Sequence, residues 1–127
     1  MGLFEGDRHV TGWCLGTFGD LGVVVETVLD LEGDHPHLAA MDASTTWSPS
    51  IAENVLMELQ DVSARLSQRP PIDFAFRDDA FSHVAQHRST ATNALECFHN
   101  VDGEPLFDAL AALCRRSAHD CLPVCFA

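Results

Sequence analysis

A long amphipathic helix predicted at the centre of the chain constrains the fold more than any other feature. Ser48 and Pro49 form a helix start, because serine accepts a hydrogen bond as N-cap and proline fits the first helical position. Apolar side chains then recur at helical spacing and form one stripe: Ile51, Val55, Leu59, Val62 and Leu66. The double proline Pro70-Pro71 cannot continue a helix. The pattern predicts a helix over residues 49–67 whose stripe must be buried by other elements.

A second amphipathic helix is predicted near the carboxyl-terminal end. The turn residues Asp102-Gly103-Glu104-Pro105 open it. Its expected buried stripe is Leu106, Phe107, Leu110, Leu113 and Cys114. The short apolar run over residues 122–126 then predicts a terminal strand. Pro123 places that strand at a sheet edge or lies near its start, since proline donates no ladder hydrogen bond.

The first forty residues predict strands followed by a helix. Leu3-Phe4 and the alternating residues 10–18 are typical of strands. Gly19-Asp20 predicts a turn and cap for a helix over Leu21 to Leu29, although its consecutive valines also allow a strand. His37 to Met41 is interpreted as a short strand.

The region after the double proline gives weaker patterns. Residues 72–76 are predicted to be extended, Asp78 or Asp79 to cap a short helix through Arg88, and a further helical piece to begin at Ser89 or Thr90. Together the elements predict an α+β fold, with α/β as the alternative, in which three or four helices pack on a small β-sheet. We expect residues 1–127 to form a single domain.

The charge balance restricts the class of partner. Nineteen acidic residues against seven basic ones give a net charge of −12. Nucleic-acid binding needs a basic face, so no nucleic-acid partner is expected, and a basic protein partner or simple solubility fits better. No apolar run approaches the roughly 18 residues of a membrane span. The amino terminus lacks the basic and apolar regions of a secretory signal, so we expect no such signal and no membrane partner.

The acidic residues gather in three groups along the chain. The groups are Glu26, Asp30, Glu32 and Asp34; Asp73, Asp78 and Asp79; and Glu96, Asp102, Glu104 and Asp108. A solvated surface explains them, and so does a face built to meet a cationic protein. The candidate contact residues for such a protein are Glu32, Asp34, Asp73, Asp78 and Asp79.

Histidines and cysteines supply the only alternative chemistry. His83 and His87 have the i, i+4 spacing of zinc proteases, but Val84 stands where the motif needs its general-base glutamate. A second set comprises Cys114, His119, Cys121 and Cys125. We predict no metal and no cofactor, with a zinc-binding enzyme or sensor as the alternative. The five cysteines are expected to be free thiols, because their count is odd and their spacing irregular.

Two further motifs bear on function. His35-Pro36-His37 is interpreted as a surface loop, with a metal or pH-sensing role as the alternative. The chain has neither a nucleophile elbow nor a glycine-rich phosphate loop, so no catalytic residues are proposed.

Several segments together resemble small bacterial immunity proteins of polymorphic toxin systems, of the immunity protein 70 type. They are MGLF at residues 1–4, GWCLGTFGD at 12–20, WSP at 47–49, CFHNVDGEPL at 97–106 and LPVCF at 122–126. The resemblance implies a cytoplasmic antitoxin that is not an enzyme and that blocks the C-terminal domain of a cognate toxin used in contact-dependent competition between bacteria. The toxin is expected to be basic, a nuclease being one option, and a homodimer of this chain stays open.

Overall fold

The structure is a computed structural model that describes residues 2–5, 8–12, 18–42, 44–71, 91–99 and 103–126, with side chains from residue 21 onward. Its helices are α1 (Phe18–Leu29), α2 (Pro36–Ala39), α3 (Pro49–Ser67) and α4 (Leu106–Asp120), with one 3-10 turn at Leu95–Cys97. Its strands are β1 (Gly2–Glu5), β2 (Arg8–Gly12), β3 (Thr46–Trp47) and β4 (Val124–Cys125). The fold is α+β and rich in helix, as predicted.

Helix α3 has the bounds that the sequence predicts. The Ser48 hydroxyl accepts a hydrogen bond from the Ile51 N–H at 3.3 Å, which satisfies one of the free donors of the first turn. Four residues of the predicted stripe are buried, with exposed fractions of 0–2%: Val55, Leu59, Val62 and Leu66. These side chains pack α3 against α4, and this helix pair forms the centre of the core.

Helix α4 also follows its prediction, since all five residues of its expected stripe are buried. It ends at Cys121, which adopts the left-handed conformation at φ 56°. Ser117 stabilises this turn: its carbonyl accepts from the Leu122 N–H at 3.3 Å, and its buried hydroxyl donates to the Leu122 carbonyl at 2.5 Å. The turn directs the chain back toward the sheet.

The four strands form one antiparallel sheet in the order β2-β1-β4-β3. Val124 of the terminal strand faces Leu3 on one side and Trp47 on the other. The terminal strand is therefore interior and joins two distant parts of the chain. Pro123 directly precedes this strand, which agrees with the expectation that the proline lies near the start of the strand. Trp47 is 3% exposed, and its ring meets that of Phe126 edge to face at 5.3 Å between centroids.

Two predictions of local structure are wrong. Helix α1 begins at Phe18, so Gly19 and Asp20 lie inside it rather than in a preceding turn. The expected strand at residues 37–41 is instead the helix α2, because Pro36 supplies the preset φ of a first helical position. A five-residue apolar segment has too little periodicity to distinguish these outcomes.

Other predictions fall partly or wholly outside the described residues. The strand predicted over residues 10–18 is confirmed at 10–12, residues 13–17 lie outside, and residue 18 is helical. The extended segment at 72–76 and the short helix ending at Arg88 lie outside entirely. Residues 89 and 90, where a further helical piece is predicted to begin, also lie outside, and residues 92–94 form bends before the 3-10 turn. None of the helices in the described ranges is long and apolar enough to cross a membrane.

Candidate functional site

Two of the five predicted contact acids lie on the described surface. Glu32 and Asp34 are exposed in the segment that joins α1 to α2. Neither makes a hydrogen bond or ion pair with another described residue, so both carboxylates face solvent. Asp73, Asp78 and Asp79 lie outside the described residues. Glu32 and Asp34 are therefore exposed, and the contact role of all five acids stays a prediction.

The motif His35-Pro36-His37 is not the surface loop that the sequence predicted. His35 is only 5% exposed, and its Nε2 lies 2.5 Å from Oδ2 of Asp61 on α3. His37 is half-buried, and its Nδ1 lies 2.5 Å from Oε2 of Glu58. We call these four side chains, His35, His37, Glu58 and Asp61, the histidine clamp. The prediction failed because the partners lie more than 20 residues further along the chain.

Glu58 caps α2 from a different helix. Its Oε1 accepts from the backbone N–H of His37 at 2.9 Å and of Leu38 at 3.1 Å. Pro36 has no N–H and His35 makes no side-chain cap, so these two N–H groups are the free donors of the first turn. Leu38 is fully buried, and an unsatisfied donor there would be costly. The buried carboxylate of Glu58 thus replaces the missing local cap.

Asp61 completes the clamp at the surface. Besides His35, it accepts a hydrogen bond from Nε of Arg65 at 2.8 Å. The Arg65 bond, followed by that of His35, holds the pKa of the Asp61 carboxyl below its usual range. Asp61 is therefore ionised at neutral pH, and it holds the segment before α2 against α3.

Sequence reasoning missed Glu58 and Asp61, although Glu58 left a signal. It lies next to Leu59 and three residues after Val55, which places it within the buried arc of α3. An acid at such a position needs a buried partner, because an unpaired buried charge is strongly unfavourable. The identity of that partner was not evident from helical spacing.

The described cysteines differ in their exposure to solvent. Cys97 and Cys114 are buried, Cys121 is exposed and Cys125 is half-buried, and none of these four described residues is in a disulfide. Burial raises the pKa of the Cys114 thiol to about 12, so it is protonated and inert at neutral pH.

The structure describes only one of the two residue sets considered as zinc-binding alternatives. Within the described ranges, no three His, Cys, Asp or Glu side chains converge as metal ligands would, and this covers Cys114, His119, Cys121 and Cys125. The imidazole of His119 is 87% exposed and contacts the Asp120 carboxylate at 2.8 Å. His83 and His87 lie outside the described residues.

The described residues form a small helix-rich protein, and the side chains of the histidine clamp stabilise its fold. The model of the family described as Immunity protein 70 matches residues 34–126, which is more than two thirds of the chain. The chain therefore belongs to the immunity protein 70 family. No curated protein and no solved structure matches it significantly. The matched span begins at Asp34 and includes α2, α3, α4 and the terminal strand.

Proposed function

We propose that this chain is a cytoplasmic immunity protein that binds the C-terminal effector domain of a cognate toxin and occludes its active site. Membership of the immunity protein 70 family is the observation that carries the proposal. The 127 residues act as one immunity-type domain, and they act by binding rather than by catalysis. The clamp supports this view, because its carboxylates are already occupied by internal donors.

The proposed mechanism sets an acidic face against a basic toxin. The net charge is −12, because 19 acidic residues stand against seven basic ones, so negative potential dominates the chain. Exposed acids without internal partners, such as Glu32 and Asp34, are free to attract a cationic surface. Such attraction speeds encounter by orders of magnitude at low salt. A nuclease is a natural candidate for the toxin, because its substrate site must attract phosphate. Asp73, Asp78 and Asp79 complete the proposed face.

A rescue experiment tests the function. The C-terminal domain of the large secreted protein encoded beside this chain is expressed in bacteria, with and without the chain. We expect survival only with the chain, together with co-purification of the pair. Death in both cultures without co-purification would contradict the proposal.

A kinetic experiment tests the acidic face separately. Reversing Glu32 and Asp34 to lysine should slow association with the toxin domain about tenfold or more at low salt, with little change in dissociation. Near 1 M salt the Debye length falls to about 3 Å, so variant and wild type should converge. Unchanged association rates at low salt would remove these two acids from the mechanism while leaving the immunity function intact.

A further inference from the structure

Helices α3 and α4 leave a groove between them that is lined by both apolar and polar side chains. The groove has a volume of about 280 Å³, and its lining includes the apolar Leu56, Phe107 and Ala111 and the polar Gln60 and Ser63. Asp108 and Arg115 also line it and stand seven residues apart on α4. They are therefore separated by roughly 10 Å along the helix. The groove thus has an acid near one end and a base near the other.

A second depression adjoins the first at the beginning of α4. It has a volume of about 190 Å³ and is lined largely by apolar groups, including Leu95, Pro105 and Phe107. Phe107 and Asp108 line both depressions, so the two form one continuous surface. We call this surface the α3–α4 groove. It lies entirely within the span that the family model matches.

Asp108 occupies the centre of this surface without an internal partner. It is exposed in the first turn of α4, and its carboxylate makes no hydrogen bond or ion pair with another described residue. Glu96 at the rim differs, because its carboxylate already accepts from the Thr92 N–H at 2.6 Å and the Thr92 hydroxyl at 2.8 Å. Asp108 is therefore the acid that this surface offers to a partner.

We infer that the α3–α4 groove is the anchor site for an arginine side chain of the toxin domain. The apolar lining residues suit the aliphatic stem of that side chain, and Asp108 suits its guanidinium. Arginine is enriched among binding hot spots, which lie in well-packed pockets. Arg115 stands at the other end of the groove, roughly 10 Å from Asp108 along α4. The inference rests on the proposed function and adds the place and chemistry of the anchor. In this proposal Glu32 and Asp34 raise the association rate, whereas the groove lowers the dissociation rate.

Two half-buried alanines of α4 provide a matched test. Ala111 lines the groove, whereas Ala118 does not and lies ten residues beyond Asp108. Ala111→Arg fills the groove and repels an incoming arginine, while Ala118→Arg adds the same charge outside it. Arginine is a good helix former, so both variants should fold, which thermal unfolding checks. With the toxin domain from the rescue experiment as probe, we expect Ala111→Arg to raise Kd about thirtyfold, mainly through faster dissociation. Ala118→Arg should bind nearly as the wild type does.

A second pair of variants removes the charge without filling the groove. Asp108→Asn should weaken binding about tenfold, and Asp108→Glu should restore most of the loss because it keeps the carboxylate. This pair decides the question if Ala111→Arg fails to fold. Equal binding by wild type, Asp108→Asn and a folded Ala111→Arg would overturn the inference, and so would equal weakening by the two alanine variants. In either case an intact complex would leave the immunity function standing, whereas absence of any complex with the wild type would overturn both.

Discussion

The two sides of α3 attach the same helix to the rest of the molecule by different physical means. On one side, Val55, Leu59 and Val62 pack against the core with α4. On the other side, Glu58 and Asp61 accept hydrogen bonds from the segment that contains His35 and His37. The apolar attachment depends on buried area and has no preferred direction. The polar attachment depends on hydrogen bonds between particular donor and acceptor atoms.

Neighbouring positions of one helix can therefore tolerate different substitutions. Leu59 and Glu58 are adjacent and similarly buried, at 2% and 8% exposure. A volume-conserving substitution should be tolerated at Leu59. No apolar residue of similar volume can replace Glu58, because the N–H groups of α2 would lose their acceptor.

The largest effect is expected on the apolar side. Leu59→Ala should lower the free energy of unfolding by about 2–5 kcal/mol, because it removes buried methyl groups and leaves a cavity. Denaturant titration measures the change. Leu29→Ala serves as control, since Leu29 is 63% exposed and its truncation should stay within about 0.5 kcal/mol. Similar losses for the two variants would contradict the assignment of Leu59 to the core.

The next effect is expected on the polar side. Glu58→Ala should lower the free energy of unfolding by about 2–3 kcal/mol, since it leaves the N–H groups of His37 and Leu38 without an acceptor. Glu58→Gln should recover part of the loss, because its amide oxygen still accepts. Amide hydrogen exchange at Leu38 should accelerate in the alanine variant. If alanine and glutamine were equally destabilising, the capping role of Glu58 would be wrong.

A smaller effect is expected at the helix start, which both sides share. Ser48→Ala should lower the free energy of unfolding by about 1 kcal/mol, because the Ile51 N–H loses its acceptor. Ser48→Asp should retain the stability, since aspartate caps equally well. A full loss in the aspartate variant would show that the hydroxyl does not act as a cap.

The smallest effect is expected from the titration of Asp61. Its lowered pKa means that the folded state favours the ionised form, so the contribution is fully present above the ordinary aspartate pKa of about 3.9. The contribution is lost as the pH falls through the lowered pKa. The difference in unfolding temperature between wild type and Asp61→Asn should therefore be constant near neutral pH and shrink toward acid. A difference that grows as the pH falls below about 4 would contradict this sign.

The two long helices could be predicted from sequence because several local signals coincide in each. Helix α3 has a cap, an N1 proline, an apolar stripe and a terminating proline pair, all within residues 48–71. The terminal strand was also predictable, but its interior place was not, because strand order depends on pairing between distant segments. Helix α2 was missed since it has only four residues and is capped by a residue 20 or more positions away.

The candidate site could likewise be predicted only in part from the sequence. The exposure of Glu32 and Asp34 followed from their place in an acidic loop. The α3–α4 groove could not be predicted, because it exists only where two helices 39 or more residues apart pack together. Asp108 appeared among the acidic residues of the sequence, but its position between two depressions depends on that packing.

We propose that the chain neutralises a toxin by occupying its active site, and a titration of toxin activity tests this. The activity of the purified toxin domain is measured at a fixed concentration well above Kd while the chain is added in steps. We expect the activity to fall linearly and to vanish at equimolar chain, and a folded Ala111→Arg to shift the curve to higher concentration. Persistent activity at excess chain would contradict neutralisation. Complete and progressive inactivation by a small fraction of an equivalent would contradict occupancy, and would show that the chain acts as an enzyme.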